Sequence, residues 1–234
     1  LEQYYDIENK DEFGVVINNQ VVKRDTESQD AASDFSESLA PGKMYDGQYY
    51  VEYSIVRKMI NKRFYWDSNE NLLLYTLPEG NVSVVPDSKE YTELGETKSE
   101  DYVILKTDGT NAYIAIPFLQ MYTNLEYTAY EDPARVVITS DWGEIQTAKV
   151  KRNTQIRYQG GVKSPVLTDV KKSDKVTVLE DEDAWTKVAS EDGMIGYIKT
   201  KALKDIGKET TSRDFNEPEY TSISKDYKIN MVWH

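Results

Sequence analysis

The densest run of chemistry-bearing side chains is acidic: Glu180, Asp181, Glu182 and Asp183. Paired carboxylates can divide acid and base work across a glycosidic bond, provided that the surroundings keep one of them protonated. Here the run lies between the apolar pattern "KVTVLED" and the next, "WTKVAS". A turn belongs at that place, and turn carboxylates stay solvated and ionised. The solvated turn is therefore the preferred reading. Nucleophilic chemistry lacks its partners. The one histidine is the terminal His234 and there is no cysteine, so neither a serine–histidine–acid relay nor a reactive thiolate can be assembled. No glycine-rich run has the spacing of a phosphate cradle. The sequence predicts no active site, no metal and no cofactor in these residues.

Aromatic rings remain as candidates, because exposed Tyr and Trp stack on sugars and on apolar peptide stems while offering a polar tip. The three that stand out are Tyr158, Trp185 and Tyr197. Trp185 and Tyr197 begin or end strand patterns and equally suit the core of a module of about 60 residues, which needs large rings to close. Tyr158 borders the Gly160-Gly161 loop, where a ring is as readily a ligand contact as a packing residue. Trp66 reads as a core or interface residue, and with 18 tyrosines in the chain, tyrosine alone discriminates nothing.

The elements that must position these rings are short strands. "TQIRY", "KVTVLED", "WTKVAS" and "MIGYIKTKAL" are rich in β-branched and aromatic residues and are separated by the turn signals "QGG", "KKSD" and "SEDG". With Ile156-Arg157 opening the series, Trp185 starting a strand and Gly196-Tyr197 near the close, the segment from Glu144 to Leu203 resembles a bacterial SH3-like domain. The resemblance implies a small closed β module with a binding rather than a catalytic role, attached to wall-processing enzymes. Such domains usually carry a Ser-Gly-Pro loop after the Ile-Arg pair; this chain has "YQGGVKSPV" instead.

Upstream, "YVEYSIVRKMINKRFYWDSNENLLLYT" from Tyr50 aligns with "YIAIPFLQMYTNLEYTAYEDPARVVIT" from Tyr113 at a constant offset. Ile55, Val56, Met59 and Ile60 predict the apolar face of one short helix, with Ser54 as its N-cap. Phe118, Leu119 and Tyr122 predict a second, with Pro117 in its first turn. Two strands are expected after each helix, and "GVVINNQVV" supplies a hairpin before the first copy. Residues 13–140, with Trp66-Asp67 as the most specific feature, resemble the copper amine oxidase N-terminal-like domain of secreted Gram-positive proteins. That name implies no copper here, because the chain lacks the imidazole and sulfur ligands that copper favours. The stretches 28–43 and 205–226 are acidic and turn-prone; the first reads as a loop or an entry linker and the second as an extended surface segment. The final "YKINMVW" resembles the first barrel strand of a family 18 glycoside hydrolase, although the acidic catalytic strand of that family does not occur in these residues.

Charge separates the two parts. The net charge is −13, with 12 basic against 27 acidic residues over 1–144 but 12 against 9 over 145–205. An acidic front repels phosphate polymers, so nucleic acid is not an expected partner; the same charge also simply keeps a secreted protein soluble. No apolar run of transmembrane length occurs, nor does the N-terminus have the build of a signal peptide. The expected fold is thus an α+β repeat domain of two strand–helix–strand units (1–142), a small all-β SH3-like barrel (143–205), and a linker with the first strand of a possible hydrolase (206–234). The expected function is a non-catalytic region, extracellular or at the cell surface, that binds peptidoglycan or another wall polymer and positions a glycoside hydrolase. The alternative is a protein–protein or self-association module with no wall ligand.

Overall fold

The computed structural model of the chain describes residues 1–24 and 39–218. These fall into two compact units, one of residues 1–24 with 125–213 and the other of 39–124 with 214–218. The first unit opens with β1 (Gly14–Ile17) and β2 (Gln20–Val21). The hairpin between them turns on Asn18 and Asn19, whose φ angles of 50° and 62° match a two-residue turn of the kind asparagine tolerates.

The second unit follows in the chain. It holds β3 (Gly42–Tyr45), β4 (Gln48–Glu52), β5 (Phe64–Asp67), β6 (Leu72–Leu77), β7 (Gly80–Val84), β8 (Glu90–Glu93), β9 (Glu96–Ser99), β10 (Leu105–Thr107) and β11 (Ala112–Ala115). One sheet has the order β10-β11-β4-β3, and β5 to β9 form a five-stranded meander. Two short helical segments lie in this unit. The first is α1 (Tyr53–Ile55), continued by a π turn over Val56–Ile60, and the second is α2 (Ile116–Tyr122). Phe64, Tyr75, Phe118 and Tyr122 pack ring to ring at centroid separations of 4.6 to 6.4 Å. The Tyr122 hydroxyl donates to Glu93 at 2.8 Å.

The chain then completes the first unit with β12 (Glu126–Tyr130), β13 (Arg135–Thr139), β14 (Glu144–Val150), β15 (Thr154–Arg157), β16 (Val166–Val170), β17 (Lys175–Glu182), β18 (Trp185–Ser190), β19 (Ile195–Lys199) and β20 (Leu203–Thr210). A four-stranded sheet, β12-β13-β1-β2, pairs β1 in parallel with β13, from Gly14 opposite Arg135 to Ile17 opposite Ile138. All four residues of β1 are buried, as a strand flanked on both edges and covered on both faces requires. The other strands make a seven-stranded sheet, β16-β15-β19-β18-β17-β14-β20.

Two expectations need correction. The fold is not an α+β repeat: the described residues are 49% strand and 9% helical. The helical faces were placed correctly, but the segments are too short to build a layer, and the strand–helix–strand unit does not organise the fold. After the first helical segment, β5 and β6 run on into the meander; after α2, β12 and β13 instead join β1 in another sheet of the other unit. Local resemblance between the two stretches thus leads to different partners. The N-cap also differs. Glu52, not Ser54, caps α1 by accepting from the Ile55 N–H at 3.3 Å, and the Ser54 hydroxyl donates to the same carboxylate. Residues 205–210, which read as an extended surface segment, continue β20 beside β14. The "YKINMVW" run lies outside the described residues, as does most of the 28–43 loop.

The two sheets of the first unit share one core, in which Tyr5 and Val16 join Val150, Ile156, Val188 and Ile198 of the seven-stranded sheet. The turn between β18 and β19 is gripped by this junction. Tyr5 Oη donates to the Gly193 carbonyl at 2.8 Å, Tyr130 Oη to the Glu191 carbonyl at 3.2 Å, and Arg135 Nε to the Asp192 carbonyl at 2.8 Å. Gly193 has φ +85°, and a Cβ there would stand 2.7 Å from Val137 Cγ2, so both conformation and space demand glycine. Replacing Tyr5 by Ala is expected to destabilise this unit by about 3–5 kcal/mol through the lost ring and the cavity it leaves. Tyr5→Phe, which removes the buried hydroxyl bonds to the Gly193 carbonyl and to Met194 Sδ, is expected to cost about 1–2 kcal/mol. Urea unfolding of the full chain, followed by near-ultraviolet circular dichroism, measures both.

Candidate functional site

Side chains directly opposite on neighbouring strands share one face of a sheet. On the outward side of the seven-stranded sheet this rule sets up a row across five strands: Val166, Arg157, Tyr197, Lys187 and Glu180. The adjoining row contains Lys199, Trp185 and Glu182. The alternate residues Thr186, Val188, Gly196 and Ile198 turn inward and are buried. Trp185 and Tyr197, both half-buried, are diagonal neighbours, which places their backbones about 7–8 Å apart and their rings within reach of each other. Two of the three predicted ring residues therefore share a surface, and they share it with three cations and two carboxylates. Glu180, Asp181, Glu182 and Asp183 are all exposed, but the expected turn is confined to Asp183 and Ala184, because Glu180–Glu182 continue β17 paired with β18.

The loop after β15 is braced over this face by its own hydrogen bonds. Tyr158 N–H donates to the Pro165 carbonyl at 3.1 Å, Gln159 N–H to Ser164 Oγ at 2.8 Å, and Arg157 Nη1 to the Ser164 carbonyl at 2.7 Å. Gly160 lies against Trp185, where a Cβ would meet the indole side chain at 3.2 Å. Val162 and Val166 are exposed beside it.

Tyr158 is placed differently. It packs at the rim of the shared core, with its ring edge-to-face against Tyr4 at 5.4 Å and 90°. The Tyr4 hydroxyl donates to the Ile195 carbonyl at 2.6 Å and accepts from the Ile195 N–H at 3.0 Å. Burial pushes the Tyr4 phenol up to about 12, against the lowering effect of its bond to Ile195 and with a further push from Tyr158. Sequence reading missed Tyr4, Arg157, Lys187 and Lys199 as neighbours of the rings. Strict alternation from Trp185 and Tyr197 would have found the two lysines, whereas nothing local links Tyr4 to residues near 195. Among the described residues no group of three or more His, Cys, Asp or Glu could hold a metal ion, and no helix is long and apolar enough to cross a membrane.

Residues 152–204 match the family model of the bacterial SH3 domain. This span is a bacterial SH3 domain. It takes in β15 to β19 and both half-buried rings, and it is of a kind that serves as a non-catalytic binding module. Two solved structures from Trichomonas vaginalis are similar to the chain. NlpC1 is 19% identical, with 61% of this chain and 40% of that one covered and a TM-score of 0.24. NlpC2 is 18% identical, with 61% and 42% covered and the same TM-score of 0.24. The chain thus spans less than half the length of either. None of the curated proteins matches it. The comparisons do not support a copper amine oxidase N-terminal-like region over residues 13–140, nor the repeat on which it rested.

The raised Tyr4 phenol carries a pH dependence. Its folded-state value of about 12 exceeds the ordinary 10.0, so the unfolded chain loses this proton first as pH rises. The stability contributed by protonated Tyr4 is complete below pH 10 and is lost towards pH 12. Tyr4→Phe is expected to lose less stability than the wild type over that window, as read from urea midpoints at pH 9 and pH 11.

Proposed function

We propose that this chain is a non-catalytic region of a secreted or surface-anchored Gram-positive protein that binds the cell wall through the outward face of its SH3 domain. In that role it positions a wall-processing enzyme, such as a family 18 glycoside hydrolase, at its substrate. The observation that carries the reading is the gathering of Trp185 and Tyr197 with Arg157, Lys187 and Lys199 on one side of the sheet. Rings of this kind cover apolar faces of sugars and peptide stems, and the cations meet the carboxylates of an anionic wall polymer. Glu180 and Glu182, at the end of the same two rows, suit the amines of a stem peptide. The positive balance of residues 145–205 favours such a polymer, which the acidic remainder of the chain repels.

The test is retention of the full chain on purified peptidoglycan. Lys187→Gln is expected to weaken retention about two- to fivefold at low salt, with the difference vanishing in high salt because exposed charges are screened over about 8 Å at physiological ionic strength. Trp185→Ala is expected to cost about tenfold, roughly 1.4 kcal/mol, at either salt. Circular dichroism checks that both variants fold. Retention that ignores both substitutions would remove this face from the reading. Concentration-dependent self-association with no retention would favour the protein–protein alternative.

A further inference from the structure

We propose that the ligand face extends beyond the SH3 domain itself: Tyr4 and Lys23 form its far end, and Lys23 receives a free carboxylate of a wall peptide. This rests on the wall-binding reading and adds residues from outside the matched domain.

Ile195, Tyr197 and Lys199 point to the same side of β19, because side chains alternate along a strand. Tyr4 is fixed at the Ile195 end of that line by the paired hydrogen bonds of its hydroxyl, and its ring meets Tyr158 edge-on. Its neighbour Tyr5 is fully buried and bonded to Gly193, so the segment that carries Tyr4 is anchored rather than loosely apposed. The corner is therefore preformed, which spares a ligand the cost of ordering it.

Lys23 supplies the charge. Its ammonium stands 5.2 Å from the centre of the Tyr4 ring and donates to the Tyr4 carbonyl, while the residue stays exposed. No carboxylate pairs with it among the described residues. Three acidic groups of the neighbouring segment are engaged by Arg24 instead: Asp6 accepts its backbone N–H at 3.0 Å, Glu8 lies 3.7 Å from Nε, and Glu12 pairs with Nη2. Glu12 itself is held below the usual carboxylate range, since the hydrogen bonds from Glu8 and Asn9 and the charge of Arg24 outweigh the upward push of burial. Acid and base in this segment are thus sorted, and Lys23 is left facing solvent beside an aromatic pair.

From Ile195 to Lys199 the strand advances about 13 Å, the length of an extended peptide of about four residues. A short wall peptide lying along β19 can place its apolar part over Tyr197 and Trp185 and its terminal carboxylate at Lys23. The carboxylate, rather than a sugar hydroxyl, is the group that an ammonium with no acidic partner selects.

The experiment is calorimetric titration of the full chain with a soluble disaccharide-peptide, prepared once with a free terminal carboxylate and once as the amide. Lys23→Gln is expected to bind the acid about 3- to 10-fold more weakly and the amide as the wild type does. Lys62→Gln, an exposed lysine of the other unit, is expected to change neither. Equal affinity of Lys23→Gln and wild type for the acid would overturn the inference and leave wall binding standing. An equal loss for acid and amide would overturn the carboxylate assignment. No binding of either ligand by the wild type would remove the wall-binding reading and this inference with it.

Discussion

The first unit depends on one buried junction, where the turn after β18 enters a socket made by Tyr5, Tyr130, Arg135 and Val137. Each carbonyl from Glu191 to Gly193 is met there by a side-chain donor, so no buried acceptor is left unpaired. Arg135 is 3% exposed and pairs with Asp192 at 3.2 Å, and its other donors go to the carbonyls of Glu131 and Pro133. A guanidinium so deeply placed is tolerable only when its fork is filled. The seven-stranded sheet and the four-stranded sheet beside it therefore share a core, although the SH3 family match covers only residues 152–204.

That arrangement explains why the SH3 strands were legible and the sheet beside them was not. "KVTVLED" and "WTKVAS" have alternation tight enough to fix strand and face, and the structure returns β17 and β18 there, with the strand running one residue further than the run and the turn shortened to Asp183 and Ala184. Local pattern also found the two helical segments and the β1–β2 hairpin. It could not convey that β1 is a central strand, because its parallel partner β13 lies about 120 residues further on. The repeat reading failed for the same reason. Twenty-odd residues of resemblance determine local conformation, but partner choice is made elsewhere, and β5–β6 and β12–β13 choose differently.

The candidate site was half legible. Trp185 and Tyr197 were singled out by residue type, and the alternation that buries Val188 and Ile198 is what turns these rings and their cationic neighbours outward. Tyr158 was singled out by its place beside two glycines, yet its neighbour across the ring is Tyr4, a residue whose own surroundings in sequence say nothing about strand β19. Contacts between distant segments are what residue type and spacing leave unstated.

The parallel pairing of β1 with β13 also sets an order of events. Strand β1 must wait through the whole of residues 39–124 before its partner β13 is synthesised. The meander and its helical segments make mostly near-neighbour pairings and can close early, and the SH3 strands can do likewise. The long-range closure by β1 and Tyr5 belongs to the first unit alone, and it follows the local pairings of the SH3 strands because it needs both β13 and the turn at Gly193 in place.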